Sequence, residues 1–279
     1  IVTKDNGTEG MPMHSLMEMH CRMNNTFKRY GVDIIFYIDQ ISYINSTSLF
    51  NMTRATESQL TKNNTINHCN VYLVNNPDGQ GGYTYLPNPN ASPANRSSIF
   101  VRGSKDFSWY AEPRIRVMEH EMGHWLGLPP PFAGWEGTAY GTANALSNDL
   151  RARVLRTGNG SNCKTTGDGF CDTDPDYFSE NWNCKETKTY KDPLGVDFNL
   201  KTNIMSYNFL EDNNTDCDIP FSQEQIARMH FSMENFNERK DLLNFSVSSG
   251  NKVVPMTGLF EVSKSNGLLR LSVNDVTLS

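Results

Sequence analysis

The sequence has no long apolar run, no internal repeat and no low-complexity tract. No window approaches the roughly 18 apolar residues that a transmembrane helix needs, so a membrane is not an expected partner. Only 20% of the residues are charged, and the formal net charge is −6 with a pI near 5.5. Because this balance is acidic, nucleic acid and anionic lipid surfaces are not expected partners either.

A signal peptide is also missing at the start of the sequence. Ile1 and Val2 are apolar, but Lys4 and Asp5 follow at once, where a signal peptide needs an apolar segment of about 7–15 residues. We therefore expect a mature or trimmed domain. With 279 residues, 37% of them hydrophobic, the chain is able to bury a sizeable core as one large domain or two small ones.

Cysteine is present, but never as a C-x-x-C pair, which argues against thiolate zinc sites and thioredoxin-like chemistry. An even number, six, in a loop-rich chain favours disulfides and an oxidising compartment, with scattered buried thiols as the alternative. Ten N-x-S/T sequons fit secretion from a eukaryotic cell. They begin at Asn6, Asn24, Asn45, Asn51, Asn63, Asn90, Asn95, Asn159, Asn213 and Asn244.

Apolar periodicity predicts the elements of the amino-terminal half. A helix is expected over Ser15–Arg29, and a run of β-branched and aromatic residues predicts a strand over Val32–Ile44. A second helix is expected from about Pro113 to Leu126, ending at Gly127, which is able to take the left-handed C-cap conformation. Shorter strands are predicted at Asn70–Val74, Gly82–Leu86 and Ser98–Val101.

The carboxy-terminal half is predicted to be richer in loops. Phe132–Lys201 lacks periodicity and abounds in Gly, Asp, Asn and Thr, which is typical of an irregular functional or disulfide-tied segment. A capping box of Ser222 and Gln225 opens a predicted helix over Ser222–Leu243. Two β-like runs follow, Lys252–Val262 and Leu268–Val273, either as terminal strands or as the start of an appended module.

The most informative residues form the motif H-E-x-x-H-x-x-G at positions 120–127. On a helix, residues four apart share a face, so His120 and His124 are able to direct two imidazoles at one zinc ion. Glu121 is then placed to act as the general base toward a water molecule. The alternative is a core helix with two hydrogen-bonded histidines and a solvated glutamate.

A second element supports the metal-site interpretation. Thr202–Tyr207 resembles the Met-turn, the methionine-bearing turn that lies beneath the zinc in metzincin proteases, with Met205 as the methionine. Tyr207 matches a tyrosine that several metzincins direct at the metal or the oxyanion. Its alternative role is ring packing with the hydroxyl in water.

With these motifs the chain resembles the pappalysin-like metzincins, and the resemblance covers roughly residues 1–245. Four further segments match the family in order: the opening 6–27, the strand and edge segments 70–74 and 82–87, the G-D-x-x-x-D-T stretch 167–173, and Cys217 with the helix start 221–229.

The resemblance implies a secreted zinc-dependent metalloendopeptidase acting on peptide or protein substrates. It implies an α+β fold, with a twisted mixed sheet and two long helices in the amino-terminal part. A loop-rich carboxy-terminal part with a Met-turn and a final helix would follow. We expect a catalytic domain over residues 1–245, divided at 127/128, and a β-like tail over 246–279.

Pro130 departs from the family pattern, which has its third zinc-binding histidine there. Catalytic zinc sites generally have three protein ligands plus water, and proline offers no side-chain lone pair. Tyr207, Glu136 or water are the possible substitutes. A catalytically impaired protein that binds peptides or proteins is therefore the second hypothesis. A gluzincin is disfavoured because no helical E-x-x-x-D segment follows His124.

Two further expectations concern the loops. At least two disulfides are expected among Cys163, Cys171, Cys184 and Cys217, with Cys21–Cys69 as a further candidate pair. Calcium is a possible second cofactor because clustered loop carboxylates suit a hard, oxygen-seeking ion, although a solvated acidic loop is the alternative. The carboxylates concerned are Asp168, Asp172, Asp174 and Asp176.

Overall fold

The computed structural model describes residues 1–88, 98–105, 116–134, 161–174, 176, 182–183, 189–191, 197–199, 202–209, 218–243, 260–265 and 268–273. Within these residues the chain is α+β, with a small mixed sheet. Several predicted features lie outside them: Glu136, Cys184, Cys217, the first residues of the Pro113–Leu126 helix, and residues 252–259 of the first β-like run.

Three strands form the central sheet in the order β3-β5-β4. Strands β3 (Asn70–Val74) and β5 (Ser98–Arg102) are parallel, and β4 (Gly82–Thr84) runs antiparallel to β5. The predicted strands are confirmed, although β4 ends at Thr84 rather than Leu86. Their β-branched and aromatic residues are buried on both faces, as expected for strands with layers on either side.

The predicted strand Val32–Ile44 is wrong over most of its length. Only Ile44–Asn45 is a strand, β2, which pairs in parallel with β1 (Val2–Thr3). A side chain replaces the missing strand partner at one point, because the Asn24 amide accepts from the Phe36 N–H at 2.9 Å and donates to the Phe36 carbonyl at 2.9 Å. High β-propensity was therefore not enough to make this segment a strand, because the tertiary contacts kept it out of the sheet.

Helix α1 (Met13–Arg29) confirms the first predicted helix, starting two residues earlier than predicted. It buries Met19, Met23 and Phe27 against the core, and basic residues in its last turn complement the helix dipole. The short helices α2 (Thr47–Phe50) and α3 (Glu57–Thr61) follow, with a 3₁₀ turn at Arg54–Thr56 before α3.

Helix α4 (Val117–Trp125) is the motif-bearing helix, and it is shorter than predicted. Arg116, the residue before its first turn, has φ −82° and ψ 51°, outside the helical region, so the described helix begins at Val117. The helix packs against β4, β5 and α1. The prediction of two long helices is therefore wrong for the second helix.

The carboxy-terminal elements also differ in detail from the prediction. Helix α5 (Gln223–Asn235) begins at the predicted capping box. It does not continue to Leu243, because Phe236 adopts an extended conformation (φ −89°, ψ 121°) before α6 (Asn237–Leu243). Short strands interrupt the segment predicted to be irregular: β6 (Trp182–Asn183) pairs with β9 (Asn208–Phe209), and β7 (Thr189–Lys191) with β8 (Asp197–Asn199).

The β-like tail forms an antiparallel hairpin of β10 (Phe260–Ser265) and β11 (Leu268–Val273). The second predicted run is confirmed residue for residue. Of the first, residues 260–262 are part of β10, which continues to Ser265, and the rest lies outside the described residues. No helix in the described part of the chain is long and apolar enough to span a membrane.

Two apolar clusters cover the two faces of the sheet. The larger one joins α1, α4, α5 and the 202–207 turn, and the smaller one lies under α2 and α3 around Tyr72, Tyr83 and Phe100. The motif helix thus lies between the sheet and the carboxy-terminal segments, with little freedom to rotate.

Within the described residues one disulfide, Cys163–Cys171, is present, and the other two cysteines of that predicted group lie outside them. The candidate pair Cys21–Cys69 is wrong, because both cysteines are free: Cys21 is exposed on α1, and Cys69 lies partly buried just before β3. Burial raises the pKa of the Cys69 thiol to about 12, which favours the protonated thiol over the reactive thiolate.

Candidate active site

Helix α4 brings His120 and His124 together, as their four-residue spacing requires. Their Nε2 atoms are 2.9 Å apart, and the two rings are perpendicular with centroids at 4.5 Å. Both imidazoles therefore direct the same nitrogen at one point.

The other ring nitrogens determine the tautomers. His120 Nδ1 lies 2.9 Å from the Ile204 carbonyl oxygen, and His124 Nδ1 lies 2.6 Å from the Leu128 carbonyl oxygen. Because a carbonyl only accepts, each Nδ1 must carry the proton, which leaves both Nε2 atoms as lone-pair acceptors facing each other. Two such lone pairs at 2.9 Å repel unless a cation lies between them.

The electrostatics keep both rings neutral. Burial lowers the pKa of His120 to about 4, and burial together with the neighbouring His120 lowers the pKa of His124 to about 3. Neutral imidazole with its Nδ1–H donated to a backbone carbonyl is the form that ligates zinc. The two histidines therefore offer two nitrogen donors of the kind that zinc takes, and the described residues place no third His, Cys, Asp or Glu with them.

Glu121 lies on the side of α4 that faces strand β4. A Cβ on Gly82 would lie 2.9 Å from Glu121 Cγ and 3.1 Å from Glu121 Oε1, so only glycine allows the strand to pass this close. The carboxylate is buried, and its Oε2 has no hydrogen-bond partner among the residues that the structure describes. Burial raises the Glu121 pKa to about 8, against a smaller opposing effect of the Arg54 charge. An orphaned buried oxygen of this kind is expected at a site that receives a water or ligand.

The end of α4 explains how Leu128 reaches His124. Gly127 has φ +94°, its N–H donates to the His124 carbonyl at 2.8 Å, and the Leu128 N–H donates to the Gly123 carbonyl at 3.0 Å. This pair of bonds is a Schellman cap, and it confirms the predicted stop at Gly127. The cap turns the chain back so that the Leu128 carbonyl meets the His124 ring.

Pro130 follows two residues later and contributes no ligand. Its carbonyl accepts from the Ala133 N–H at 2.9 Å, which closes a turn that brings Phe132 against Tyr207 with ring centroids 4.6 Å apart. Tyr207 also lies beside His120, with ring centroids 5.7 Å apart, and is 39% exposed. The structure therefore gathers His120, His124 and Tyr207, and the segment that carries Pro130 returns to the same region.

The turn that contains Met205 lies directly beneath α4. A Cβ on Gly123 would overlap Met205 Sδ, and Met205 is fully buried. Asn203 shapes this turn, since its Oδ1 accepts from the Met205 N–H at 2.9 Å. Its amide also exchanges hydrogen bonds with the Gln225 side chain on α5, at 2.9 and 3.2 Å.

Asn203 and Gln225 are positioning residues that sequence reasoning missed. By shaping the turn they place the Ile204 carbonyl that orients His120. An asparagine two residues before a methionine in a turn is a usable signal, because Asn side chains bond to backbone two residues on. Nothing in the sequence marks Gln225 as its partner beyond the capping box.

The acidic loop does not assemble a calcium site in the described structure, where no group of three or more His, Cys, Asp or Glu residues is placed to hold a metal ion. Asp168 accepts from the Phe170 N–H and the Thr173 hydroxyl, and Asp172 accepts from the Ser222 hydroxyl and the Glu224 N–H. These carboxylates stabilise the loop and the start of α5.

This chain is similar to known proteins in its fold. No protein-family model and no curated protein matches the sequence. A solved structure described as "Mirolysin in complex with compound 9" is similar, with a TM-score of 0.56 and 16% sequence identity over 87% of this chain and 93% of that chain. Mirolysin is a metallopeptidase of the metzincin type. This chain has a metzincin-like fold.

Within this metzincin-like fold, the contact between Gly123 and Met205 gives a stability prediction. In an exposed helix, Gly→Ala is stabilising by about 0.5–1 kcal/mol. Gly123→Ala is expected to be destabilising by about 1–3 kcal/mol instead, because the new methyl would overlap the Met205 sulfur. Urea unfolding measures the change.

The matched control removes the Met205 side chain that the new methyl would overlap. In the double variant Gly123→Ala/Met205→Ala, the alanine methyl finds space, so the cost of Gly123→Ala measured in the Met205→Ala background should vanish or change sign. An equal cost in both backgrounds would show that the two residues are not in contact.

Proposed function

We propose that this protein is a secreted, zinc-dependent metalloendopeptidase of the pappalysin-like kind that hydrolyses peptide bonds. The proposal depends on the two Nε2 atoms of His120 and His124, which lie 2.9 Å apart. Both carry lone pairs, because each Nδ1–H donates to a backbone carbonyl. The metzincin-like fold supports it, as does the buried Glu121 carboxylate beside the pair.

His120 and His124 would hold the zinc, and Tyr207, whose ring centroid lies 5.7 Å from that of His120, would assist them. A zinc ion bound there supplies Lewis-acid chemistry, polarising a carbonyl and acidifying water. A zinc cation beside it would favour the ionised form of Glu121 against the effect of burial. In that form Glu121 accepts the proton of the attacking water and delivers it to the leaving amine. The Tyr207 hydroxyl stabilises the negative charge that develops on the carbonyl oxygen.

Metal binding gives the direct test. His120→Ala and His124→Ala are each expected to weaken zinc binding by at least about 10- to 100-fold, since even loss of a ligand's supporting hydrogen bond costs that much. Competition against a chromophoric chelator measures the dissociation constant. The control is His68→Ala, because His68 is bonded to Asp39 and the Ile66 carbonyl, away from this pair. Equal affinity in all four proteins would contradict the proposed zinc site.

Pro130 favours a second function, in which the protein binds peptides or proteins without cleaving them. A site with two histidine ligands lacks one ligand of the usual catalytic set. A chelator-sensitive peptidase assay on the zinc-loaded protein distinguishes the two functions. Turnover that EDTA removes and zinc restores supports the enzyme, and peptide binding without turnover supports the second function.

Secretion is part of the proposal because the Cys163–Cys171 disulfide and the sequons suit an oxidising, extracellular compartment. Recovery of the protein from the medium of the cells that produce it, with this disulfide intact, is the measurement. Recovery only inside cells, with both thiols reduced, would contradict this part.

A further inference from the structure

Strand β4 is the outer strand of the three-stranded sheet, and it borders the proposed site. The order β3-β5-β4 leaves one edge of β4 without a strand partner among the described residues. Gly82, the first residue of β4, is also the residue that Glu121 packs against. A free edge beside the general base is a place where an extended peptide is able to add as a further strand.

The register shows which backbone groups point outwards. Arg102 N–H donates to the Gly81 carbonyl at 2.8 Å, and the next pair along is Gly82 with Val101. Because hydrogen-bonded and non-bonded pairs alternate in an antiparallel ladder, Gly82 does not bond to β5 and Tyr83 does. The N–H and C=O groups of Gly82 and Thr84 therefore face the free edge.

A peptide that runs antiparallel to β4 and bonds to Gly82 and Thr84 places one residue directly opposite Tyr83. That pair is non-hydrogen-bonded, the type in which side chains approach closest, and both side chains lie on the same face of the sheet. The peptide side chain at this position therefore contacts the groups that lie on the Tyr83 face of the sheet.

On that face the Arg54 side chain stacks on the Tyr83 ring. Its guanidinium carbon lies 3.5 Å from the centroid of the Tyr83 ring, and its Nη1 donates to the Tyr85 hydroxyl at 3.0 Å. Both phenols also donate to one Glu57 oxygen, at 3.0 and 2.9 Å, which holds the rings in place. The Arg54 side chain is 46% exposed, whereas Glu57 is buried.

We infer that Arg54 is a specificity-determining residue that selects an aspartate or glutamate side chain at the substrate position opposite Tyr83. The inference rests on the proposed function for its substrate class. A guanidinium stacked on an aromatic ring is pre-organised for a carboxylate, because its planar fork matches the two oxygens. Asp78 is the competing carboxylate, but its oxygen lies 3.7 Å from Arg54 Nε, beyond hydrogen-bond distance.

A peptide library that varies one position at a time, with Glu, Gln or Lys at each, tests the inference on the zinc-loaded protein. At one position, Glu is expected to be cleaved about tenfold faster than Gln, the effect of one charge-assisted hydrogen bond at a partly exposed site. Arg54→Gln should remove that preference, and Arg54→Glu should transfer it to Lys. Arg29→Gln is the control, since Arg29 is 60% exposed and pairs with Asp218.

Asp78→Asn gives a second, independent arm. Removal of the competing carboxylate should strengthen the preference for Glu at the same position. Thermal unfolding verifies that each variant is folded. A library without acidic preference at any position, or one whose preference survives Arg54→Gln, would overturn the inference.

Failure of the proposed function is distinguishable from failure of this inference. If no peptide is cleaved, the peptidase is wrong, and the same Glu, Gln and Lys peptides are tested for binding by fluorescence anisotropy. Tighter binding of the Glu peptides that depends on Arg54 supports the inference, and equal binding of all three overturns it.

Discussion

Glu121→Gln is expected to reduce peptide hydrolysis by about 10²–10⁴-fold, the usual contribution of a general base. Glutamine has nearly the same shape but does not accept a proton at neutral pH, so only the chemical step is removed. Zinc affinity should stay close to that of the wild type, because the histidines and their carbonyl partners are unchanged. Steady-state assays with a fluorogenic peptide, together with chelator competition, measure both quantities.

The stability of the variant separates chemistry from folding. Glu121 Oε2 has no hydrogen-bond partner, so its replacement by an amide breaks no bond that the described structure contains at that oxygen. Glu234→Gln, an exposed substitution on α5, is the matched control and should retain full activity. Peptidase activity within about tenfold of the wild type in Glu121→Gln would assign the hydrolysis to a different site or to a contaminant.

Pro130→His is expected to tighten zinc binding by at least about 10- to 100-fold, because it supplies a third imidazole where the pattern lacks one. The Schellman cap at Gly127 turns the chain back towards His124, and the 130–133 turn returns Phe132 to Tyr207. Position 130 is only partly buried, so a larger side chain has room. Any peptidase turnover should rise with the zinc affinity.

Two controls separate the new ligand from the loss of proline. Pro130→Ala removes the ring without adding a ligand and should leave zinc affinity unchanged. Pro129→His adds an imidazole one residue away and should give little gain, because neighbouring side chains point in different directions. Equal zinc affinity in Pro130→His and Pro130→Ala would show that this position faces away from the two histidines, and the peptide-binding function would then be favoured.

Local sequence patterns determined the parts of the site that lie within one helix and its cap. The four-residue spacing of His120 and His124 places both rings on one face of α4, and Gly127 ends that helix with positive φ. The strands Asn70–Val74 and Ser98–Arg102 and the capping box at Ser222 were predictable for the same reason. Each depends on residues a few positions apart, where periodicity and steric preference act directly.

The tertiary structure decided everything that joins distant segments. His120 is oriented by the Ile204 carbonyl 84 residues away, and Gly123 is required by a methionine that approaches from another turn. The Val32–Ile44 segment has strong strand propensity, yet the Asn24 side chain takes the backbone groups of Phe36. Such choices depend on which hydrogen-bond partners and packing surfaces the folded chain brings close, and residue order along the sequence does not encode them locally.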